Sequence, residues 1–273
     1  MFYTSISHAN ENFTVRHYQH QERYAFGLEL LELAFSKLDE TYQIQNPYQQ
    51  ANKEINEARG EAEVISGALD LEFMSTTASR EKAMIPIKVP IYRGIIGLRL
   101  ILATPSRAAK LSKMKELDDL RSFTGGHGTH WGDVGVYDAN DLGVITNVHY
   151  ESLFKMLIEG RFDYFHRGVN EVWEELGRYS EKLIVVDNVM LYYPHPVYYF
   201  VSKYRPSLAH SLARGLKMAM EDGSYKQLFL KYHQVEIRKA NFGRRNLIVL
   251  NNPVVPEGTA EIDTSWWLPR SIK

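Results

Sequence analysis

The first patterned stretch is Phe13-Thr14-Val15-Arg16-His17-Tyr18, where side chains alternate as in a short strand. Tyr24, Leu28, Leu31, Phe35 and Leu38 then recur at spacings of four, three, four and three, an apolar stripe that predicts a core-facing helix. Tyr42-Gln43-Ile44 predicts a second strand, Lys53 to Ile65 a polar helix ended by Gly67, and Leu69 to Met74 a buried strand. Ile85 to Ala103 is the most apolar region, but Lys88, Arg93 and Arg99 break it, so it reads as consecutive strands. A membrane-crossing helix would need about 18 uninterrupted apolar residues. Pro194-His195-Pro196 precedes the strand Val197-Tyr198-Tyr199-Phe200-Val201. Pro206 then opens a helix with the stripe Leu208, Leu212, Leu216 and Ala219. Gly223 closes it, and Ser224 is placed to cap a helix through Tyr232. Strands alternating with helices predict an α/β fold with parallel strands.

A motif repeats inside this pattern. Gly67-Ala68-Leu69-Asp70 leads from a helix into an apolar strand, and Gly160-Arg161-Phe162-Asp163 does the same after the helix near Tyr150 to Ile158, 93 residues later. Two α/β units of similar length, each with a glycine-closed helix end, account for it. Thr104-Pro105-Ser106 and Pro194-His195-Pro196 are the expected crossing points between them. The tail from Gly243, punctuated by Pro253, Pro256 and Gly258, predicts an ordered extension, with Trp266 and Trp267 as packing residues.

Composition narrows the function. The 273 residues carry 32 Lys+Arg against 33 Asp+Glu, a formal charge of −1, which gives no electrostatic case for nucleic-acid binding. Aromatic residues at 12% and the balanced charge exclude a disordered chain. With no cysteine, disulfides, zinc–thiolate sites and cysteine nucleophiles are excluded together. At this length about three quarters of the unfolded surface is buried, enough for a sizeable core. Ser7-His8-Ala9 has the small residues a signal peptidase prefers, but the basic and apolar regions of a signal peptide are missing. The expectation is a sequence that begins inside a precursor.

Hydrolase serine elbows, zinc-protease His-Glu pairs and phosphate loops are missing as motifs. His127-Gly128-Thr129-His130 places two imidazoles three apart, a spacing open to a metal, but no third ligand follows at suitable spacing and Asp133 is the nearest carboxylate. Thr124-Gly125-Gly126-His127-Gly128-Thr129 also reads as a glycine-rich turn after a strand, whose N–H groups would bind an anion if a helix began at Thr129. A plain flexible loop is the other reading. Ser75-Thr76-Thr77-Ala78-Ser79-Arg80 follows the first buried strand, where ligands of open α/β sheets collect. Its hydroxyls and guanidinium suit capture of a carboxylate, and a surface turn with Arg80 paired to Glu81 or Glu72 is the alternative.

The order of these motifs resembles the family 3 extracellular solute-binding proteins, receptors of polar amino-acid ABC transporters. That family carries Gly-x-x-Asp, a strand, Ser-Ile-Thr-x-x-Arg and Phe-Ser-x-Pro-Tyr before a hinge strand. Here stand Gly67 to Asp70, Ser75 to Arg80, Val89-Pro90-Ile91-Tyr92, and Gly97 to Leu102. Leu117-Asp118-Asp119-Leu120 and Gly128-Thr129 resemble the second lobe's Asp-Leu and Gly-Thr, Tyr150 to Asp163 its helix with Gly-Arg and Asp, and Leu208 to Tyr232 the terminal helix pair. The likeness covers roughly residues 13 to 235.

The resemblance implies a type II periplasmic-binding fold of two mixed, mostly parallel sheets flanked by helices, with lobe 1 in residues 1–102, lobe 2 in 103–198 and a return to lobe 1 in 199–273. It implies a periplasmic, monomeric receptor without cofactor or metal that closes on a small carboxylate-bearing solute for an ABC permease. By its motifs, Arg80 and Ser75 bind the ligand's α-carboxylate, Thr129 shares it, and Tyr18 covers the ligand; Thr77, Gly128 and His130 complete the expected binding set. Two departures stand out. Ala78-Ser79 replaces the usual Pro-Glu, and Gly168 stands where many members have the Asp that pairs with the α-ammonium. Asp163, Glu171 or Glu72 would have to substitute. A ligand-sensing receptor without transport, or a periplasmic enzyme using His127, His130 or Glu171, are the alternatives on this scaffold.

Overall fold

The computed structural model describes residues 12–20, 22–50, 55–257 and 259; Ser7-His8-Ala9, Lys53, Trp266 and Trp267 lie outside them. In chain order the strands and helices are β1 (Asn12–Arg16), α1 (Ala25–Ser36), β2 (Thr41–Gln45), α2 (Pro47–Gln50), α3 (Glu57–Ser66), β3 (Leu71–Ser75), α4 (Ala78–Ala83), β4 (Ile85–Ile87) and β5 (Leu98–Ala103). There follow α5 (Pro105–Leu111), α6 (Leu117–Arg121), β6 (Thr124–Gly128), α7 (Gly135–Ala139), β7 (Gly143–Asn147), α8 (Tyr150–Ile158), β8 (Phe165–Gly168) and α9 (Val172–Tyr179). The chain ends with β9 (Ile184–Val185), β10 (Val189–Tyr192), β11 (Val197–Val201), α10 (Pro206–Glu221), α11 (Ser224–Ala240) and β12 (Asn246–Val249).

Contacts divide the chain into two compact units, one of residues 1–72, 83–89 and 199–228, the other of 73–82, 90–198 and 229–273. The cuts fall elsewhere than the expected lobe boundaries, since 73–82, 90–102 and 229–273 group with the second unit. Thr104 is the residue before α5, with Pro105 in its first turn.

In the first unit β1 and β2 run parallel, with Val15 opposite Ile44. The helix α1 buries Phe26, Leu30, Leu31, Ala34 and Phe35, a face rotated from the expected stripe because Phe26 and Ala34 also turn inward. It lies against α10, which buries Leu208, Leu212, Leu216 and Ala219 as the spacing predicts. Gly215 makes the approach possible: a Cβ there would lie 2.1 Å from the Ala34 carbonyl oxygen. Gly67 ends α3 at φ 82°, a left-handed conformation glycine adopts without steric cost. Asp70, just beyond, accepts the Arg16 backbone N–H at 2.8 Å and pairs with the Arg16 guanidinium at 2.9 Å.

The second unit is built around β5, whose six residues are all buried. β8 and β10 pair with it antiparallel, β9 pairs with its far end, and β12 lies parallel to β10. One apolar cluster joins Ile101, Ala103, Tyr137, Tyr164, Leu191 and Tyr193; another joins Leu100, Leu102, Phe154, Leu157, Phe162 and Phe165. The parallel pair β6–β7 completes the unit. Here the motif of the first unit recurs: Gly160 stands at φ 72° and Asp163 accepts the Thr124 backbone N–H at 2.9 Å, as Asp70 does for Arg16.

Two local expectations are corrected. Thr124 to Gly128 is not a loop but the strand β6, and no helix begins at Thr129; the next, α7, starts at Gly135. Aromatic rings explain the strand's glycines, since a Cβ at Gly126 would lie 2.1 Å from the Phe162 ring and one at Gly128 2.4 Å from Trp131. The last long helix runs on to Ala240, and Asp222 rather than Ser224 receives its first backbone N–H, at 2.9 Å.

Candidate functional site

Arg99 is a cation inside the apolar strand Leu98-Arg99-Leu100-Ile101-Leu102-Ala103, and a buried charge requires partners. Its Nη2 donates to Asp133 Oδ2 at 2.7 Å and its Nη1 to Glu171 Oε2 at 3.3 Å. The Tyr193 hydroxyl donates to the same Asp133 oxygen at 2.6 Å, and His127 Nε2 lies 3.2 Å from the other. Beside this group, Arg167 Nε donates to both Glu175 oxygens at 2.8 Å, its Nη2 reaches Glu171 Oε1 at 3.0 Å, and its guanidinium lies 4.7 Å over the Trp131 ring. Tyr150 donates to Glu175 at 2.5 Å. Three carboxylates and two guanidiniums thus share one buried network in the second unit.

Burial would raise the Asp133 carboxyl, but the charges of His195, His127 and Arg99 and the hydrogen bond from His127 hold it well below the usual carboxylate range. Glu171 is likewise lowered, burial being outweighed by Arg167 and Arg99. For the imidazoles burial prevails instead. Burial pushes His195 down to about 4 against the pull of Asp133, and burial with Arg99 and His127 puts His166 well below its ordinary value.

The end of β3 and the helix α4 approach this network. His195 Nε2 lies 2.9 Å from Ser75 Oγ, while its Nδ1 faces Asp133 Oδ2 at 3.6 Å. Arg80 is buried, its Nη1 donating to the Ser75 carbonyl oxygen at 2.9 Å. A Cβ at Gly132 would lie 2.9 Å from that same Nη1 and 3.1 Å from Ser75 Cβ, so glycine at 132 leaves the guanidinium room. Thr77 Oγ1 accepts the Arg80 backbone N–H at 3.2 Å and fixes the first turn of α4, while Glu81 accepts from Thr76 at 2.8 Å.

Of the expected binding set, Ser75, Thr77 and Arg80 stand together. Thr129 and His130 are exposed and His127 is buried, so the two imidazoles do not share a face. Among the described residues no cluster of His, Asp and Glu has a metal-binding arrangement. Gly128 packs under Trp131. Tyr18 belongs to the first unit, where its ring fills the place of a side chain at Gly60, with a Cβ there only 2.1 Å away. Sequence reasoning missed Arg99, Asp133, Arg167, Glu175, Tyr193 and His195. The available signal was a charge placed mid-strand between apolar neighbours, in Leu98-Arg99-Leu100 and again in Phe165-His166-Arg167.

No family model and no curated protein matches the chain in sequence. Solved structures match in fold. An arginine-specific periplasmic binding protein of Salmonella typhimurium superposes with TM-score 0.60 at 12% identity, over 81% of this chain and 99% of its own. A His/Glu/Gln/Arg/opine family-binding protein from Silicibacter pomeroyi, in complex with lysine, gives 0.60 at 12%, over 81% and 96%. An ancestral amino-acid-binding protein, described as a precursor of cyclohexadienyl dehydratase, gives 0.56 at 15%, over 81% and 95%. The fold is that of the type II periplasmic binding proteins. Ser75 at the end of β3 and Arg80 in α4 stand next to the buried network.

Proposed function

We propose that this chain is an extracytoplasmic solute-binding protein that takes a small amino acid and delivers it to an ABC permease, acting as a monomer. The observation that carries the reading is Arg80, buried beside Ser75 and kept uncrowded by Gly132. A guanidinium in that setting suits a carboxylate, which it holds with two parallel hydrogen bonds. The choice of an amino acid over other small acids rests on position 168. A Cβ at Gly168 would lie 2.8 Å from Asn170 Oδ1 and 2.9 Å from Glu171 Oε2. Two acceptors therefore occupy the place from which an aspartate at 168 would have reached an ammonium group, and Asn170 Oδ1 is buried without a hydrogen-bond partner. Neighbours of the fold that bind arginine or lysine fit the same reading.

The test is a thermal-shift screen of amino acids against di- and tricarboxylates at millimolar concentration. A solute at a hundred times its dissociation constant adds about 2.7 kcal/mol of stability, a shift of roughly 5–10 °C in a chain of this size. The expected hit is an amino acid, lost in Arg80→Ala and weakened at least tenfold in Glu171→Gln. A hit that survives Arg80→Ala overturns the carboxylate assignment. Shifts from acids without an ammonium group that persist in Glu171→Gln overturn the amino-acid assignment and leave a carboxylate receptor.

A further inference from the structure

From the geometry of Ser75, His195 and Asp133 we infer a second capacity: Ser75 is an activated nucleophile that accepts an acyl group from small anionic esters. The three side chains converge from the end of β3, the segment before β11 and the residues before α7, all within the second unit. Ser75 Oγ and His195 Nε2 stand at hydrogen-bond distance, 2.9 Å, and Asp133 Oδ2 faces Nδ1 on the far side of the ring at 3.6 Å. With its proton on Nδ1, toward Asp133, the imidazole presents a free lone pair to the Ser75 hydroxyl, the arrangement that activates a serine. Asp133 is itself fixed by Arg99 and Tyr193, which makes it a positioning residue for His195. Ser75 keeps partial exposure while His195 and Asp133 are buried. Arg80, donating to the Ser75 carbonyl, sets a cation beside the nucleophile, which favours an ester whose acid part carries a second carboxylate.

In the step itself Ser75 Oγ bonds to the carbonyl carbon while its proton passes to His195 Nε2. The carbon–oxygen bond to the alcohol breaks, and the alcohol leaves with that proton. Water then adds to the acyl carbon, again giving a proton to Nε2, and Ser75 Oγ departs and recovers its hydrogen as the free acid is released. Nothing is oxidised or reduced. This capacity stands apart from solute binding, since it needs His195 and binding of an amino acid does not.

The probe is a fluorophosphonate, which loses fluoride as phosphorus bonds to an activated serine, followed by intact-mass and peptide analysis. The expected result is one adduct on the peptide holding Ser75, none in Ser75→Ala, and labelling slowed at least a hundredfold in His195→Gln, in line with general-base contributions. No adduct, an adduct elsewhere, or an unchanged rate in His195→Gln overturns the proposal. Ser75→Cys gives an independent test, because the chain has no cysteine of its own. Alkylation of the introduced thiol by iodoacetamide at pH 6 should be faster in the folded chain than in urea, and adding His195→Gln should return its pH profile to that of an ordinary thiol. Asp133→Asn should shift the same profile, an effect a purely structural carboxylate would not produce. The groups facing the imidazole that enter this profile are Asp133, Glu171, Arg99, His127 and Tyr193. Equal alkylation rates in folded and unfolded chains overturn the assignment.

Discussion

Arg99 Nη2 and Asp133 Oδ2 stand 2.7 Å apart, and both side chains are about 4% exposed. A buried pair of this kind is weak evidence of net stability, but either charge left alone is a large penalty. Arg99→Met and Asp133→Asn are each expected to destabilise the folded chain by about 3–5 kcal/mol. The double replacement Arg99→Met with Asp133→Asn should lose clearly less than the sum of the two single effects. Urea midpoints of the four chains check this, and strict additivity would mean that the two residues act through other partners.

Acid should unfold this protein earlier than its carboxylates alone would require. His17 and His195 are each pushed down to about 4, chiefly by burial. The unfolded chain binds a proton at each near pH 6.5 and the folded chain does not, so stability is complete above that value and falls as pH drops toward 4. Between pH 7 and pH 5 each imidazole removes about 2 kcal/mol. Asp133, held low in the folded state, adds its loss only further down, below the ordinary carboxylate range. Urea titrations at pH 7, 6 and 5 should show the fall, and His17→Gln or His195→Gln should flatten it. A midpoint that stays constant from pH 7 to pH 5 would mean that the imidazoles are protonated in the folded state.

How much of this was legible in the sequence depended on the range of the interaction. Local signals were read correctly: Gly67 and Gly160 end their helices in left-handed conformation, and the Leu208–Leu212–Leu216–Ala219 stripe is buried. Such features depend on neighbours within one or two helical turns. The glycines of Thr124-Gly125-Gly126-His127-Gly128 misled because they serve packing, not bending: Tyr137, Phe162 and Trp131 press on the strand from distant positions. The buried network was invisible for the same reason. Asp133 is called for by Arg99, 34 positions earlier, and by Tyr193, 60 later. Arg80 and Ser75 are singled out in the sequence by their spacing within one short motif.

Glycines separate packing from propensity in a way that substitution can measure. Gly215, inside α10, meets the Ala34 backbone, so Gly215→Ala should force α1 and α10 apart and destabilise by about 1–3 kcal/mol. Gly177 sits inside α9 with nothing within 4 Å of the Cβ position. Gly177→Ala should therefore stabilise by about 0.5–1 kcal/mol through helix propensity alone. Thermal midpoints of the two variants should move in opposite directions. A loss of stability in Gly177→Ala would mean that α9 is not helical at that residue in solution.

Arg167 tests whether the network needs shape as well as charge. Its Nε meets both oxygens of Glu175, its Nη2 reaches Glu171 and Glu175 at 3.0 and 2.7 Å, and its guanidinium carbon lies over the Trp131 ring. Lysine keeps the charge but offers a single ammonium, which cannot form the fork or set a guanidinium over the indole. Arg167→Lys leaves at least one carboxylate oxygen under-bonded in a buried place, at about 1–3 kcal/mol. Arg167→Met removes the charge outright and should be worse, because Glu175 and Glu171 then face each other without a cation between them. Trp131 gives the test its own optical signal. Its emission should shift to the red in both variants as the guanidinium leaves the ring, ahead of global unfolding. If Arg167→Lys keeps wild-type stability and emission, charge alone accounts for the network and the guanidinium geometry contributes nothing measurable.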